Sequence, residues 1–181
     1  MGKSDDPTSA AYPLDEPSAY PVEAIAAAWE RERPGTPVSS IGVVTPIFRL
    51  AKLLADDRRR VLAEARVDGA TLDLLSVLRR GGPPYALSTR ELAARSLITP
   101  GAISQRVARA ERAGLVARGP GPGRREVLVE LTEKGHDVVE TTVDAVLGRE
   151  AELLDGLGAD ERARLAGLLG DLLRDVHTRL R

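Results

Sequence analysis

The 181-residue chain has no cysteine, one methionine, two histidines and few aromatics: one Trp, three Tyr and one Phe. Each shortage removes a class of chemistry. Without Cys there is no disulfide framework, no thiolate metal site and no cysteine redox sensor. The two histidines, His136 and His177, are widely spaced and give little basis for a zinc site. No run of about 18 apolar residues occurs, so neither a transmembrane helix nor a membrane partner is expected. Residues 1–20 lack the apolar stretch of a secretory signal. A cytoplasmic protein is the expectation. No His or Cys stands near a candidate nucleophile. No glycine-rich loop leads from a strand into a helix, since GPGPG (residues 119–123) falls between two predicted strands. Neither an enzyme nor a bound cofactor is expected.

What the chain does have is segregated charge. The net charge of −1 divides into −3 over residues 1–75, +8 over 76–125 and −6 over 126–181. All ten basic residues of the middle segment are arginines. A basic block within an acidic chain is the footprint of a polyanion site, although a solvated arginine face has the same composition.

Residues 1–20 are polar and proline-dotted and read as a disordered arm. Pro21–Arg33 predicts a short helix ended by Pro34-Gly35. Val38 to about Arg66 predicts a long helix that Pro46 kinks or splits, its first half apolar nearly all round. Thr71–Arg80 predicts the next helix, with Leu72, Leu75 and Leu78 inward, closed by Gly81-Gly82-Pro83-Pro84.

Ser88–Leu131 is the stretch that carries a function. Ser88 and Glu91 have capping-box spacing at the start of one helix. Thr99-Pro100 supplies the N-cap and first residue of a second, whose Ile103, Val107 and Ala110 recur at core spacing. Gly114 ends that helix. Leu115–Arg118 and Val127–Leu131 read as strands around the Gly/Pro tip. Helix, turn, helix, strand, tip and return strand make a winged helix-turn-helix. Two further helices, from Glu133 to Leu154 and Asp160 to Leu180, look too apolar to pack on that small unit alone. The expected fold is mainly α with a small β-wing. Its parts are an arm (1–20), N-terminal helices (21–66), a DNA-binding domain (67–131) and C-terminal helices (132–181), the outer helices forming a dimerisation bundle.

A recognition helix reads base edges with residues of its N-terminal half. Here these are Gly101, Ala102, Ser104, Gln105 and Arg106, with Arg109 beyond. Gln can pair bidentately with adenine and Arg with guanine. Ser88 and Thr99 begin helices whose backbone N–H groups suit phosphate. Arg118, Arg124 and Arg125 sit where a wing meets the minor groove or backbone. The expected partner is double-stranded DNA with an inverted-repeat operator, bound by a homodimer.

The run LSTRELAARSLITPGAISQRVARAERAGLVAR, the glycine-rich wing ending in Arg124-Arg125, and LTEKG (Leu131–Gly135) resemble the MarR family of multiple antibiotic resistance regulators. The resemblance covers roughly residues 45–178. One position departs: Gly123 stands where the family usually has an Asp that braces the wing arginine. A narrower resemblance is to the urate-responsive branch, on Trp29 in an added N-terminal helix and on Asp73, Arg80 and Arg106. It implies an anionic ligand site at these four residues and DNA release when a purine such as urate enters; a carboxylate or phenolic metabolite suits similar chemistry. Asp73 and Arg80 lie seven residues apart and so share a helix face. Both also have plain structural readings, Trp29 as core packing and Asp73 with Arg80 as a salt bridge. The expected function is a ligand-responsive repressor. The alternatives are a MarR-type regulator without a ligand, or a helical dimeric interaction module that has lost DNA binding.

Overall fold

A computed structural model describes residues 21–96, 98–121 and 127–181. The chain divides into two compact units, Met1–Arg58 and Arg59–Arg181. In order, the elements are α1 (Val22–Glu32), α2 (Ile41–Glu64), α3 (Gly69–Arg80), β1 (Ala86–Ser88), α4 (Thr89–Ser96), α5 (Pro100–Arg112), β2 (Val116–Pro120), β3 (Val127–Leu131), α6 (Glu133–Leu153) and α7 (Ala159–Arg179). The architecture is the expected one: mostly helical, with a small antiparallel sheet.

In the first unit, α1 has no buried residue and its Trp29 is half exposed. α2 runs unbroken through Pro46, so the expected split does not occur. Pro46 is the sixth residue of the helix, so the missing donor and the ring clash fall on the carbonyl of Gly42, at the helix's first turn. Val43, Val44, Phe48, Leu50, Leu53 and Leu54 are all exposed on α2.

The second unit is built around α3. Leu72, Leu74, Leu75, Val77 and Leu78 are all buried, because α4, α5, α6 and β3 pack around this helix. The sequence period marked only Leu72, Leu75 and Leu78; α3 is enclosed on more sides than one stripe accounts for. Leu92 of α4, Ile103 and Val107 of α5, Val129 of β3 and Val139 of α6 are among the residues that join it in the core. Burying a Leu or Ile of this kind contributes about 1.5–3 kcal/mol. α6 therefore joins the winged unit through Val139 and Val146.

The sheet has three strands, order β1-β3-β2, where the sequence suggested two. β1 is only Ala86–Ser88, pairing antiparallel with β3 from Ala86↔Glu130 to Ser88↔Leu128. Such a segment is too short to show a period and forms because β3 offers its free edge. β2 pairs with the other edge, from Val116↔Leu131 to Pro120↔Val127. In α7 the expected lack of cover is plain: none of its residues is buried, and Leu165, Leu168, Leu169, Leu172, Leu173 and Val176 are exposed.

A candidate nucleic-acid interface

The two helices of the motif start as their sequences dictate. The Ser88 N–H and hydroxyl donate to Glu91 Oε2 at 2.9 and 2.8 Å, and the Glu91 N–H donates back to Ser88 Oγ at 3.2 Å. This capping box holds the Glu91 carboxyl below its usual range, first through the Ser88 N–H and then through its hydroxyl. Ser88 is buried, and its own donors are engaged by Glu91. The exposed side chains in that first turn are Arg90 and Glu91. At α5, Thr99 accepts the Ala102 N–H at 3.3 Å and Pro100 occupies the first turn. At its far end Gly114 takes φ +72°, a left-handed conformation that favours glycine, and the Leu115 N–H returns to the Ala110 carbonyl at 2.9 Å.

α5 buries Ile103, Val107 and Ala110. At 3.6 residues per turn, the opposite stripe is Gly101, Gln105, Ala108 and Arg112. Gly101, Gln105 and Arg112 are exposed, and a Cβ built on Gly101 meets no atom within 4 Å. Ser104 is also exposed, its hydroxyl donating to the Pro100 carbonyl at 3.0 Å, and Ala102 is half-buried. Arg112 was not among the predicted contacts, although its place eleven residues, or three turns, after Gly101 was a readable signal.

Arg109 borders this stripe and Arg106 lies further round the same side, and each meets an acid on α3 or at its N-cap. Arg106 Nη1 lies 3.8 Å from Asp73 Oδ2, and Arg109 Nη1 lies 3.8 Å from Asp68 Oδ2. Arg118 of β2 reaches Glu111 of α5 at 3.4 Å, tying the root of the wing to the end of the recognition helix. Neither Asp68 nor Glu111 was picked out beforehand, because pairing across elements leaves no local pattern. Arg124, Arg125 and Gly123 lie outside the described residues.

Of the four residues expected to hold a ligand, Asp73 and Arg106 come together. Arg80 shares a face with Asp73, but its Nε donates to the Ser76 carbonyl of its own helix at 3.1 Å. Trp29 stands on α1, in the other unit. Among the described residues no group of three or more His, Asp or Glu side chains is placed to hold a metal ion, and no helix is long and apolar enough to cross a membrane.

Comparison with known proteins agrees with this geometry. Residues 67–125 match the model of the MarR family. This segment is similar to the winged helix-turn-helix of the MarR family. The chain is similar to the HTH-type transcriptional regulator PecS of Dickeya dadantii, 29% identical over 143 residues, which is 78% of this chain and 86% of PecS. It is also similar to a MarR-family transcriptional regulator from Streptomyces coelicolor solved in complex with DNA. That match has 28% identity and a TM-score of 0.64, and covers 77% of this chain and 89% of that one. A third similar structure is NadR in complex with 4-hydroxyphenylacetate, at 25% identity and a TM-score of 0.56, covering 71% of this chain and 89% of that one.

Proposed function

We propose that this chain is a transcriptional regulator that binds double-stranded DNA as a homodimer and represses from an inverted-repeat operator. The observation that carries the proposal is the exposed face of α5, Gly101, Gln105 and Arg112, on a MarR-family scaffold within the arginine-rich segment. Glycine lets the helix backbone approach the base edges, while Gln supplies a donor–acceptor pair that suits adenine and Arg a pair of donors that suits guanine. The similar S. coelicolor regulator solved with DNA supports the same use of the fold. The uncovered leucines of α7 support a second copy as partner. A two-fold dimer sets two recognition helices about one DNA turn apart.

A small anionic ligand releases the DNA in this proposal. Asp73 and Arg106 join α3 to the recognition helix by a loose bridge. An anion bound beside Asp73 repels its carboxylate and competes for Arg106, so α5 loses that tether. The similar NadR, solved with 4-hydroxyphenylacetate, supports a small aromatic carboxylate. The resemblance in Trp29, Asp73, Arg80 and Arg106 favours urate or a related purine, and Trp29 and Arg80 are candidates on that resemblance alone.

The test is binding of the full chain to the intergenic DNA upstream of its gene. Gln105→Ala with Arg124→Ala weakens binding by an order of magnitude or more, and affinity falls steeply with salt. Unchanged affinity and a flat salt response would sink the DNA assignment and favour an interaction module. Urate or 4-hydroxyphenylacetate lowers the affinity of the wild type and much less that of Asp73→Asn. No effect of either at millimolar concentration leaves a regulator without these ligands.

A further inference from the structure

We infer that Asp68 is a positioning residue that holds Arg109 of the recognition helix away from DNA phosphate, so that DNA and Asp68 compete for one guanidinium. The inference rests on the DNA-binding function proposed above.

Asp68 is the N-cap of α3, and its carboxylate is fixed by that role. Oδ1 accepts the Thr71 N–H at 3.0 Å and Oδ2 accepts the Thr71 hydroxyl at 2.7 Å. The same Oδ2 faces Arg109. These contacts keep the Asp68 carboxyl ionised well below neutrality, the Thr71 hydroxyl contributing most. A permanent negative charge is thus anchored beside the recognition helix.

Arg109 differs from Arg106 in access. The Arg106 side chain is 28% exposed, shielded between α3 and α5, whereas that of Arg109 is 67% exposed. Arg109 also lies nearer the stripe of Gly101, Gln105 and Arg112. A phosphate can therefore reach Arg109 without unpacking either helix. When it does, the Asp68 carboxylate loses its cation and is left close to a polyanion. Asp73 restrains a shielded arginine, while Asp68 restrains one that DNA can take.

The experiment measures the affinity of the full chain for the upstream intergenic DNA across a range of salt concentrations. It compares the wild type, Asp68→Asn, Asp68→Ser, Arg109→Ala and Asp68→Asn with Arg109→Ala. Asn and Ser both serve as N-caps, so α3 is preserved in at least one variant, which thermal unfolding verifies. Both Asp68 variants are expected to bind roughly three- to tenfold more tightly at about 0.1 M salt. Their log–log salt slope steepens by about one, the signature of one more phosphate contact. Arg109→Ala weakens the wild type less than it weakens Asp68→Asn, whose gain it abolishes. Unchanged affinity and slope in folded Asp68 variants overturn the inference while leaving DNA binding intact. So does a gain that survives in the double variant, which is general charge removal. A wild type that does not bind this DNA overturns the DNA-binding proposal itself.

Discussion

Replacing Gly135 with alanine perturbs the joint on which α6 sits against the end of the recognition helix. A Cβ there meets the Leu115 carbonyl head on, standing 3.0 Å from its carbon, and lies 3.3 Å from Leu131 Cδ2. The Leu115 carbonyl cannot simply yield, because it accepts the Thr132 N–H at 3.2 Å. The same joint holds the Thr132 hydroxyl donating to the Gly114 carbonyl at 2.8 Å and Lys134 Nζ donating to the Ala113 carbonyl at 2.9 Å. Overpacking costs about 1–3 kcal/mol. Losing one or two of these hydrogen bonds adds about 1 kcal/mol each. Alanine's better helix propensity returns about 1 kcal/mol. The net expectation is a destabilisation of about 1–4 kcal/mol, and with about 2–4 °C per kcal/mol for a chain of this size a fall in Tm of roughly 2–16 °C. Urea and thermal unfolding at one fixed protein concentration give the comparison, since association stabilises the folded state by mass action. Gly101→Ala is the internal control: with open space around its Cβ, the same substitution leaves stability unchanged or raises it by about 0.5 kcal/mol. If Gly135→Ala is as stable as the wild type, the close approach of α6 to Leu115 is not a feature of the folded protein.

Arg112→Ala is expected to weaken binding to the upstream DNA by about tenfold or more and to reduce discrimination against unrelated DNA, the loss of one base-contacting arginine being worth about 1–3 kcal/mol; a uniform loss over all sequences would make it a phosphate contact instead. The carboxyls of Glu91 and Asp68 are lowered on folding by Ser88 and Thr71 respectively. A depressed folded value means their stabilisation is fully present above the unfolded carboxylate range and is lost as pH falls through the lowered values. The urea midpoint should therefore hold from neutrality to about pH 5 and fall below about pH 4, less steeply in Glu91→Gln; a midpoint that rises on acidification would contradict the capping geometry.

Local signals carried the helix starts. Ser88 with Glu91, Thr99 before Pro100 and Gly114 after α5 all act where their spacing placed them, because caps and left-handed glycines are decided within a few residues. Pairings between elements were less legible. β1 is a strand only because β3 lends it an edge, and Leu74 and Val77 are buried only because several elements enclose α3. Asp73 with Arg106 was reached through the family resemblance rather than through any period. Asp68 with Arg109 and Glu111 with Arg118 had no such guide.

These pairings alter how the arginine block works. Read as composition, residues 76–125 are a uniform basic patch. In the folded unit, among the described residues, its arginines are faced by carboxylates at Arg79 (Glu140), Arg106 (Asp73), Arg109 (Asp68) and Arg118 (Glu111). Each pair is exposed enough that its own contribution to stability is at most about 1 kcal/mol. Their larger effect is on where the positive charge points. Arg112, whose Nε donates only to the Ala108 carbonyl of its own helix, stays on the outward stripe with Gln105. Asp68, Asp73 and Glu111 thus hold the flanking arginines, while the stripe that faces outward keeps an exposed arginine. An operator must compete with Asp68 and Glu111 for additional phosphate contacts, so a change that frees the exposed Arg109 or Arg118 is expected to steepen the salt dependence before it alters sequence preference.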